Sequence, residues 1–143
     1  NNLQILSHAD KERNKAFSSF LERPIKTKIS VRISCLTPNV IYSITCLKCS
    51  FQYVGETKRE LRKRMYEHLR SIEKFGQPNI QATPVSEHFN THCKRPVKLT
   101  FQILEVINKD PKLDSTTQLR RRRESWWILT LRTLDPFGMN VHV

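Results

Sequence analysis

Two cysteines and two histidines occur in this sequence at the spacings found in zinc sites. Cys46 and Cys49 are separated by two residues, so a tight turn can bring both thiolates to one ion. His88 and His92 are four residues apart, which places two imidazoles on the same side of a helical turn. The four side chains predict a tetrahedral zinc site, with Cys93 as a further thiol that could replace one histidine. The alternative is a turn and a helix whose ligand-type residues have separate structural roles.

An arginine and a histidine lie four residues apart on the clearest predicted helix, over residues 58–75. At about 100° per residue, Arg64 and His68 fall beside the apolar stripe that begins at Leu61. A polar group at the edge of a core costs free energy unless a partner satisfies it. The pair forms one surface that could bind a phosphate. Alternatively, Arg64 extends to solvent and His68 packs at the edge of the core.

A single carboxylate, Glu124, follows four consecutive arginines, Arg120–Arg123, on the last predicted helix. It falls at the border of the side that we expect to be buried, where a carboxylate facing basic residues could bind a divalent cation. It could equally form an ion pair with Arg120 or Arg64. The four arginines point in four directions around the helix, so some must face solvent or a phosphate backbone. The residues expected on the buried side are Leu119, Trp126, Trp127, Leu131 and Leu134.

Two tyrosines, Tyr42 and Tyr53, occupy comparable positions in two adjacent predicted strands. Gly55 follows Tyr53 by two residues, which indicates a close approach of the backbone to another group. From the hairpin alone, two such tyrosines are expected to pack in the core or against each other across the strands.

Hydrophobic periodicity supplies the elements that must position these side chains. Strands are predicted over residues 40–44, 51–55 and 97–107. Helices are predicted over residues 58–75, 85–92 and about 115–134, the last capped by Asp114 or Ser115. The order ββαβα predicts an α+β fold for a domain over residues 37–143, with a small three-stranded antiparallel sheet flanked by helices.

Residues 1–36 form a predicted N-terminal helical arm or linker. A helix is expected over residues 7–22 because Phe17, Phe20 and Leu21 form an apolar patch at helical spacing. Alternation then predicts a half-buried strand over residues 27–33. Since the first residue is not Met, we expect this chain to be a piece of a longer polypeptide.

Length and charge narrow the classes of function. The 143 residues fit one domain, and 25 Lys and Arg against 13 Asp and Glu give a formal net charge of +12. This charge favours a polyanionic partner, most simply nucleic acid. The apolar run Trp126–Leu131 is far shorter than the ~18–20 residues that cross a bilayer, so no membrane partner is expected.

Taken in chain order, the residues singled out above resemble the motifs of the GIY-YIG nuclease family. The matching elements are Val40-Ile41-Tyr42 (with valine in place of a glycine), Tyr53-Val54-Gly55, Arg64 and His68 on one helix, Glu124, and Asn140. The resemblance covers about residues 38–142, and the order of the elements is more specific than any one of them.

This resemblance implies a divalent-metal-dependent DNA endonuclease that hydrolyses a phosphodiester with Mg²⁺ or Mn²⁺. Glu124 would hold the cation and Arg64 would stabilise the charge that develops on the phosphate. Tyr42 would serve as the base if neighbouring cations lower its pKa. The remaining expected site residues are Tyr53 and His68, which would position the water or assist proton transfer, and Asn140, which would support the site by hydrogen bonds.

The paired cysteines and histidines resemble the variant found at the C-terminus of Penelope-like retroelement proteins, where the nuclease follows a reverse transcriptase. This implies a nicking enzyme whose 3′-OH primes target-primed reverse transcription in the nucleus, with the attached reverse transcriptase and its template RNA as partners. The zinc held by Cys46, Cys49, His88 and His92 would be structural, since four protein ligands leave no open position. The alternative is a non-catalytic, zinc-stabilised nucleic-acid-binding module of a larger reverse transcriptase.

Basic residues on two helices are the candidate DNA contacts, because neutralisation of phosphates dominates affinity for DNA. The candidates are Lys58, Arg59, Arg62 and Lys63 at the start of the first helix, and Arg120, Arg121, Arg122 and Arg123 on the last. Together with Arg64 and Glu124 they predict a phosphate track that leads to a cutting site.

Overall fold

The computed structural model describes residues 33–108 and 115–143 in full, and before them the backbone of three short strands. These strands are β1 (Gln4–Ser7), β2 (Lys15–Ser18) and β3 (Arg23–Lys26). The elements that follow are β4 (Val40–Cys46), β5 (Gln52–Thr57), α1 (Leu61–Glu73), α2 (Pro84–Glu87), β6 (Lys98–Val106) and α3 (Thr116–Leu131). A π-helical turn over His88–His92 continues directly from α2.

The central sheet is built around the β4–β5 hairpin. β5 pairs antiparallel with β4 on one side, and β6 pairs antiparallel with β4 on the other, which confirms the predicted three-stranded antiparallel sheet. β1 adds a strand parallel to β6, so the order is β1-β6-β4-β5. The register between β4 and β6 shifts between Ile41 and Tyr42. An irregularity of this kind re-aims the side chain beside it, here that of Tyr42.

Alternation along β4 gives the sheet two buried faces. Tyr42 shares a core with Leu61 and Ile72 of α1, whereas its neighbour Ile41 shares a separate core with Trp127 of α3. Helices α1 and α2 therefore cover one face and α3 covers the other. Because β5 is at the edge of the sheet, side chains from α1 and α3 can meet around it.

Local signals fix the ends of the two long helices. Gly76, with φ of +83°, lies shortly after the end of α1. The Ser115 hydroxyl caps α3 by accepting a hydrogen bond from the Gln118 N–H over 3.3 Å, while Asp114 lies outside the described residues. Arg132 ends α3 in the left-handed conformation, with φ of 54°. Among the described helices, none is long and apolar enough to span a bilayer.

The predicted N-terminal helix is wrong where the structure describes it. Ser7 belongs to β1, and Lys15–Ser18 is a strand paired antiparallel with Arg23–Lys26. A short apolar pattern does not separate helix from strand when a neighbouring strand can supply the backbone hydrogen bonds. The rest of that helix lies outside the described residues, as does the strand predicted over 27–33 except for Ile33. Since β1 pairs with β6, part of the arm joins the main sheet.

Candidate active site

The β4–β5 hairpin holds two tyrosine rings around one glycine. Tyr42 lies opposite Gly55 in the strand register. A Cβ on Gly55 would lie 2.5 Å from the Tyr42 hydroxyl oxygen and 2.9 Å from Cε1 of Tyr53. The two ring centroids are 6.5 Å apart. The group whose close approach the sequence indicated is therefore the Tyr42 side chain. It passes over β5 at Gly55, the residue that has no side chain.

Helix α1 brings a histidine and an arginine to the Tyr42 hydroxyl. Nε2 of His68 lies 2.7 Å from the Tyr42 oxygen, and Nε of Arg64 donates to the same oxygen over 3.2 Å. The Tyr53 ring lies edge-on to the His68 ring, with centroids 5.6 Å apart. Spacing of four residues on one helix thus places Arg64 and His68 around a single phenol.

Burial sets the protonation states of this group. Burial and the neighbouring Tyr53 raise the pKa of Tyr42 although Arg64 acts in the opposite direction. Arg64 alone therefore does not produce the lowered pKa that a tyrosine base needs. Burial and the charge of Arg64 lower the pKa of His68 to about 3. At neutral pH the phenol is protonated and the imidazole is neutral, so with the ring proton on Nδ1 the Tyr42 hydroxyl donates to Nε2 of His68.

Glu124 of α3 reaches the site around the edge strand β5. Its carboxylate lines a cleft of about 310 Å³ with Tyr53, Asn140 and His142. Burial, and then the charge of Glu56, raise the pKa of Glu124 to about 7. None of the described residues gives its carboxylate a hydrogen bond or a close ion pair. A half-buried carboxylate without such a partner has the chemistry of a ligand for a divalent cation, so Mg²⁺ or Mn²⁺ fits this position.

Asn140 ties the C-terminal segment to β5. Its Oδ1 accepts hydrogen bonds from the Val54 N–H over 2.8 Å and from the Thr133 hydroxyl over 2.7 Å. Its Nδ2 donates to the Val54 carbonyl oxygen over 2.9 Å. Because Val54 stands between Tyr53 and Gly55, these bonds hold the strand at the position that carries the second tyrosine.

Two acidic residues at the site were not predicted. Glu67 binds Arg64 through Nη1 over 2.9 Å, and Glu56 binds Arg120 through Nε over 2.5 Å. Glu67 lies three residues after Arg64 on α1, so helical spacing could have identified that pair. Glu56 and Arg120 are 64 residues apart, and only the packing of α3 on β5 brings them together.

A basic cleft of about 360 Å³ adjoins the site. Its cationic lining residues are Lys58, Arg59, Arg64, Arg120 and Arg121. The predicted contacts Arg62, Lys63 and Arg122 are also exposed, but they do not line this cleft. The predicted DNA contacts therefore divide into a set that borders the catalytic side chains and a set on the outer surface.

Arg120 and Arg123 are engaged inside the domain. Arg120 is only 4% exposed, so it borders the basic cleft with its guanidinium already paired to Glu56. Arg123 pairs with Glu105 over 2.8 Å and lies 4.4 Å from the centroid of the Trp126 ring. The ion pair with Glu105 engages the charge of Arg123 within the fold, so its contact with DNA stays a prediction. Trp126, expected to be buried, is 43% exposed.

Comparison with known proteins decides the family. The model of the GIY-YIG catalytic domain matches residues 38–140. The chain belongs to the GIY-YIG family. The solved structure of the catalytic domain of homing endonuclease I-TevI is similar, with 24% identity and a TM-score of 0.50, and the match covers 73% of this chain and 99% of that one. This likeness supports the fold. No curated protein matches the chain.

Membership of the GIY-YIG family makes the domain a nuclease that cuts DNA with the help of a divalent metal. The matched segment contains every one of the six predicted catalytic residues, from Tyr42 to Asn140. It also contains a second cluster of ligand-type side chains, at the other end of β4.

This second cluster of the GIY-YIG domain joins two loops. Cys46, Cys49, His88 and Cys93 each place one S or N atom within 4.8 Å of the others, and Cys49 Sγ lies 3.3 Å from His88 Nε2. A tetrahedral zinc site with bonds of about 2.0–2.3 Å has ligand atoms about 3.3–3.8 Å apart. The four side chains, which we term the cysteine cluster, could therefore hold a zinc ion.

His92 is absent from the cysteine cluster, so the ligand set that the geometry favours differs from the predicted one at this position. The Cys93 N–H donates to the His88 carbonyl oxygen over 2.9 Å, five residues back. In a π-helical turn the fifth residue, and not the fourth, returns beside the first. Cys93, the further thiol identified by the sequence, takes the place next to His88, and His92 is exposed.

Proposed function

We propose that this domain nicks one strand of a DNA target and leaves a 3′-OH from which an attached reverse transcriptase primes synthesis. The observation that carries the nicking activity is the convergence of a tyrosine–histidine pair, an arginine and a cation-ligand carboxylate around one strand edge. A single set of these groups is suited to one cut at a time. Resemblance to the Penelope-like retroelement proteins supports the priming role, and it rests on the Cys46–Cys49 turn between the two tyrosine motifs.

Glu124 is the proposed ligand of Mg²⁺ or Mn²⁺. A divalent cation held there would neutralise charge on the scissile phosphate and assist departure of the 3′ oxygen. Arg64 would act on the same phosphate from the α1 side, because Nε and Nη1 are engaged by Tyr42 and Glu67 and the guanidinium borders the basic cleft. The phosphate would thus lie between a fixed cationic side chain and the Glu124 cleft.

Tyr42 and His68 are the proposed proton acceptors. As the attacking water gives a proton to the Tyr42 oxygen, the phenol proton passes to His68 Nε2, 2.7 Å away. His68 is neutral at neutral pH because burial and the charge of Arg64 lower its pKa. The same effects disfavour the imidazolium, so the transfer would depend on the negative charge of the bound phosphate. Tyr53, between His68 and Glu124, would position the water, and Asn140 would hold β5 in place.

Zinc in the cysteine cluster is proposed as structural. Cys46 and Cys49 come from the hairpin, and His88 and Cys93 come from the segment between α2 and β6. Four protein ligands close the coordination sphere, so the ion would join these segments without entering the reaction. With Cys93 in place of His92 the number of protein ligands is still four.

The proposed biological partners are the target DNA, the covalently attached reverse transcriptase and its template RNA, with the nucleus as the place of action. In this arrangement the nuclease supplies the primer end and the polymerase extends it. The non-catalytic binding module is the less favoured alternative, because a binder has no need of an unpaired carboxylate beside the Tyr42–His68 hydrogen bond.

The deciding experiment is nicking of supercoiled DNA by the parent and by Glu124→Ala in Mg²⁺ or Mn²⁺. We expect Glu124→Ala to slow nicking about 10³-fold or more, since it removes the cation ligand. Glu73→Ala, which removes an exposed carboxylate of α1, is the matched control and should leave the rate unchanged. Equal rates for the parent and Glu124→Ala would refute the assigned cation ligand, and a parent that binds without nicking would favour the binding module.

The priming role has its own assay. A DNA polymerase should extend the nicked product without prior phosphatase treatment, because hydrolysis leaves a free 3′-OH. The full-length protein with its RNA should extend the same nick into complementary DNA. Nicks that carry a 3′-phosphate would contradict priming while leaving the nuclease activity intact.

A further inference from the structure

Glu67 joins two arginines at the edge of the active site. Its Oε2 accepts a hydrogen bond from Nη1 of Arg64 over 2.9 Å, and its Oε1 accepts one from Nη2 of Arg59 over 2.5 Å. Arg59 belongs to the connection between β5 and α1, whereas Arg64 and Glu67 lie one turn apart on α1. One carboxylate therefore ties the loop that enters α1 to the arginine that contacts Tyr42.

Two contacts fix the orientation of the Arg64 guanidinium. Nε donates to the Tyr42 hydroxyl and Nη1 donates to Glu67. Arg64 lines both the basic cleft and a second cleft of about 250 Å³ that it shares with Glu67 and His68. Its remaining N–H groups can therefore reach a phosphate from either side. A charged group that is already oriented needs no reorganisation when charge develops in the transition state.

We propose that Glu67 is a positioning residue that fixes Arg64 for the chemical step and weakens DNA binding while doing so. A negative charge between two cationic side chains of a phosphate track repels the phosphates that the track attracts. The inference rests on the proposed role of Arg64 in hydrolysis.

A purely structural role of Glu67 would show differently. The Glu67–Arg64 pair is partly exposed, with 38% and 34% of the two side chains accessible, and such pairs contribute little to folding. A stabilising residue would change the melting temperature and affect rate and affinity together. A positioning residue changes the rate at saturating DNA and leaves affinity equal or improved.

The chain offers a matched control. Glu60 pairs with Arg62 over 2.8 Å at the start of the same helix, and this pair is also partly exposed. We expect Glu67→Gln to lower the single-turnover nicking rate at saturating DNA about 10- to 30-fold. Its Kd for DNA, measured by fluorescence anisotropy without a cleaving metal, should stay equal or become up to about 3-fold tighter. Glu60→Gln should stay within about 2-fold of the parent in rate, and Glu67→Asp should recover part of the loss.

A second readout does not depend on cleavage. The ¹⁵N–¹H signal of Arg64 Nε in the free protein should shift or broaden in Glu67→Gln and should remain in place in Glu60→Gln. The proposal is overturned by an unchanged rate at saturating DNA, by weaker binding that accounts for the whole loss, or by an unchanged Nε signal. If the parent binds DNA without nicking, the proposed function fails, and the Nε signal still decides whether Glu67 orients Arg64.

Discussion

The two ends of β4 carry chemically active side chains that are held together in different ways. Tyr42 and Cys46 are four residues apart, about 13 Å along a strand. At the tyrosine end, Tyr42, His68 and Arg64 satisfy one another by hydrogen bonds. At the cysteine end, thiols and an imidazole from two separate segments meet, and Cys49 Sγ lies 3.3 Å from His88 Nε2. Burial raises the pKa of Cys49, which favours the protonated thiol until a metal ion replaces the proton.

The comparison teaches that one end is organised by hydrogen bonds within the protein, whereas the other gathers side chains that an ion could join. The tyrosine end draws on the hairpin, α1, α3 and the C-terminal segment, and its arrangement follows from the packing of those elements. The cysteine end joins two segments through ligand-type side chains, so we expect its order to depend on zinc. The predictions below test this difference, beginning with the largest expected effect.

A single methyl group should disable the tyrosine end. In Gly55→Ala the new Cβ would stand 2.5 Å from the Tyr42 hydroxyl oxygen, so the phenol must leave its place beside His68. A displacement of about 1 Å in a catalytic group costs about 100-fold in rate, and we expect at least that loss in nicking. DNA affinity and zinc content should stay at parental values, because the basic cleft and the cysteine cluster are untouched. The expected loss is ~100-fold. A nicking rate of Gly55→Ala within about 5-fold of the parental rate would therefore show that Tyr42 need not occupy this position.

The cysteine end should depend on one particular thiol. Elemental analysis should give about one zinc per parental chain. Loss of a residue that only hydrogen-bonds to a metal ligand lowers metal affinity about 10- to 100-fold. Cys93→Ser removes a proposed ligand itself, so it should lower zinc affinity by more than this. His92→Gln, one residue away and exposed, should keep its zinc and its melting temperature. The reverse result, with zinc lost in His92→Gln and kept in Cys93→Ser, would restore the ligand set predicted from spacing.

The same two ends show what the sequence could and could not predict. The candidate catalytic residues could be singled out together because an ordered set of motifs carries tertiary information that the spacing within one helix lacks. Spacing selected His92 as the fourth ligand because it assumes an α-helical turn, whereas His88–His92 is π-helical and brings Cys93 beside the other three side chains. The π-helical turn is marked by the backbone hydrogen bond from the Cys93 N–H to the His88 carbonyl oxygen. The residue types in this segment do not predict that bond.

The charged face of α3 could not be predicted for a related reason. The apolar residues of α3 do not fall on one side of the helix. A helical wheel centred on Leu119 and Trp126 therefore predicts the wrong side of α3 to face the sheet. In the structure Arg120 and Trp127 face the sheet, and Trp126 is exposed. Partners on other elements decide this rotation: Glu56 on β5 for Arg120 and Glu105 on β6 for Arg123. The order of the strands and of α1 followed from strong periodicity, whereas the short patterns of the arm did not distinguish strand from helix.

Acid should destabilise the tyrosine end through His68. Its pKa is about 3 in the folded protein against about 6.5 unfolded, so the unfolded chain binds the extra proton between these values. The stabilisation is therefore complete above pH 6.5 and is lost as the pH falls, by about 1.4 kcal/mol per unit. Between pH 6.5 and 4.5 the parent should lose about 2.3 kcal/mol more than His68→Gln in denaturant unfolding. Low pH would release any zinc held by the cysteine cluster in both proteins alike, so the difference between them isolates the His68 contribution. Parallel curves would contradict the low pKa.

The smallest effect concerns how far the tyrosine end extends along the DNA. Arg121 lines the basic cleft and Arg122, the next residue, does not, although both are exposed on α3. Arg121→Ala should weaken DNA binding about 3- to 10-fold near physiological salt and reduce the slope of log K against log salt by about 0.9, the value for one lost phosphate contact. Arg122→Ala changes net charge equally, so it controls for long-range attraction and should leave the slope unchanged. Equal slopes for the two variants would mean that the cleft does not take a phosphate, and that the DNA meets α3 only through its overall field. A larger effect of Arg122 would place the DNA on the outer surface of the helix, away from the Tyr42–His68 pair.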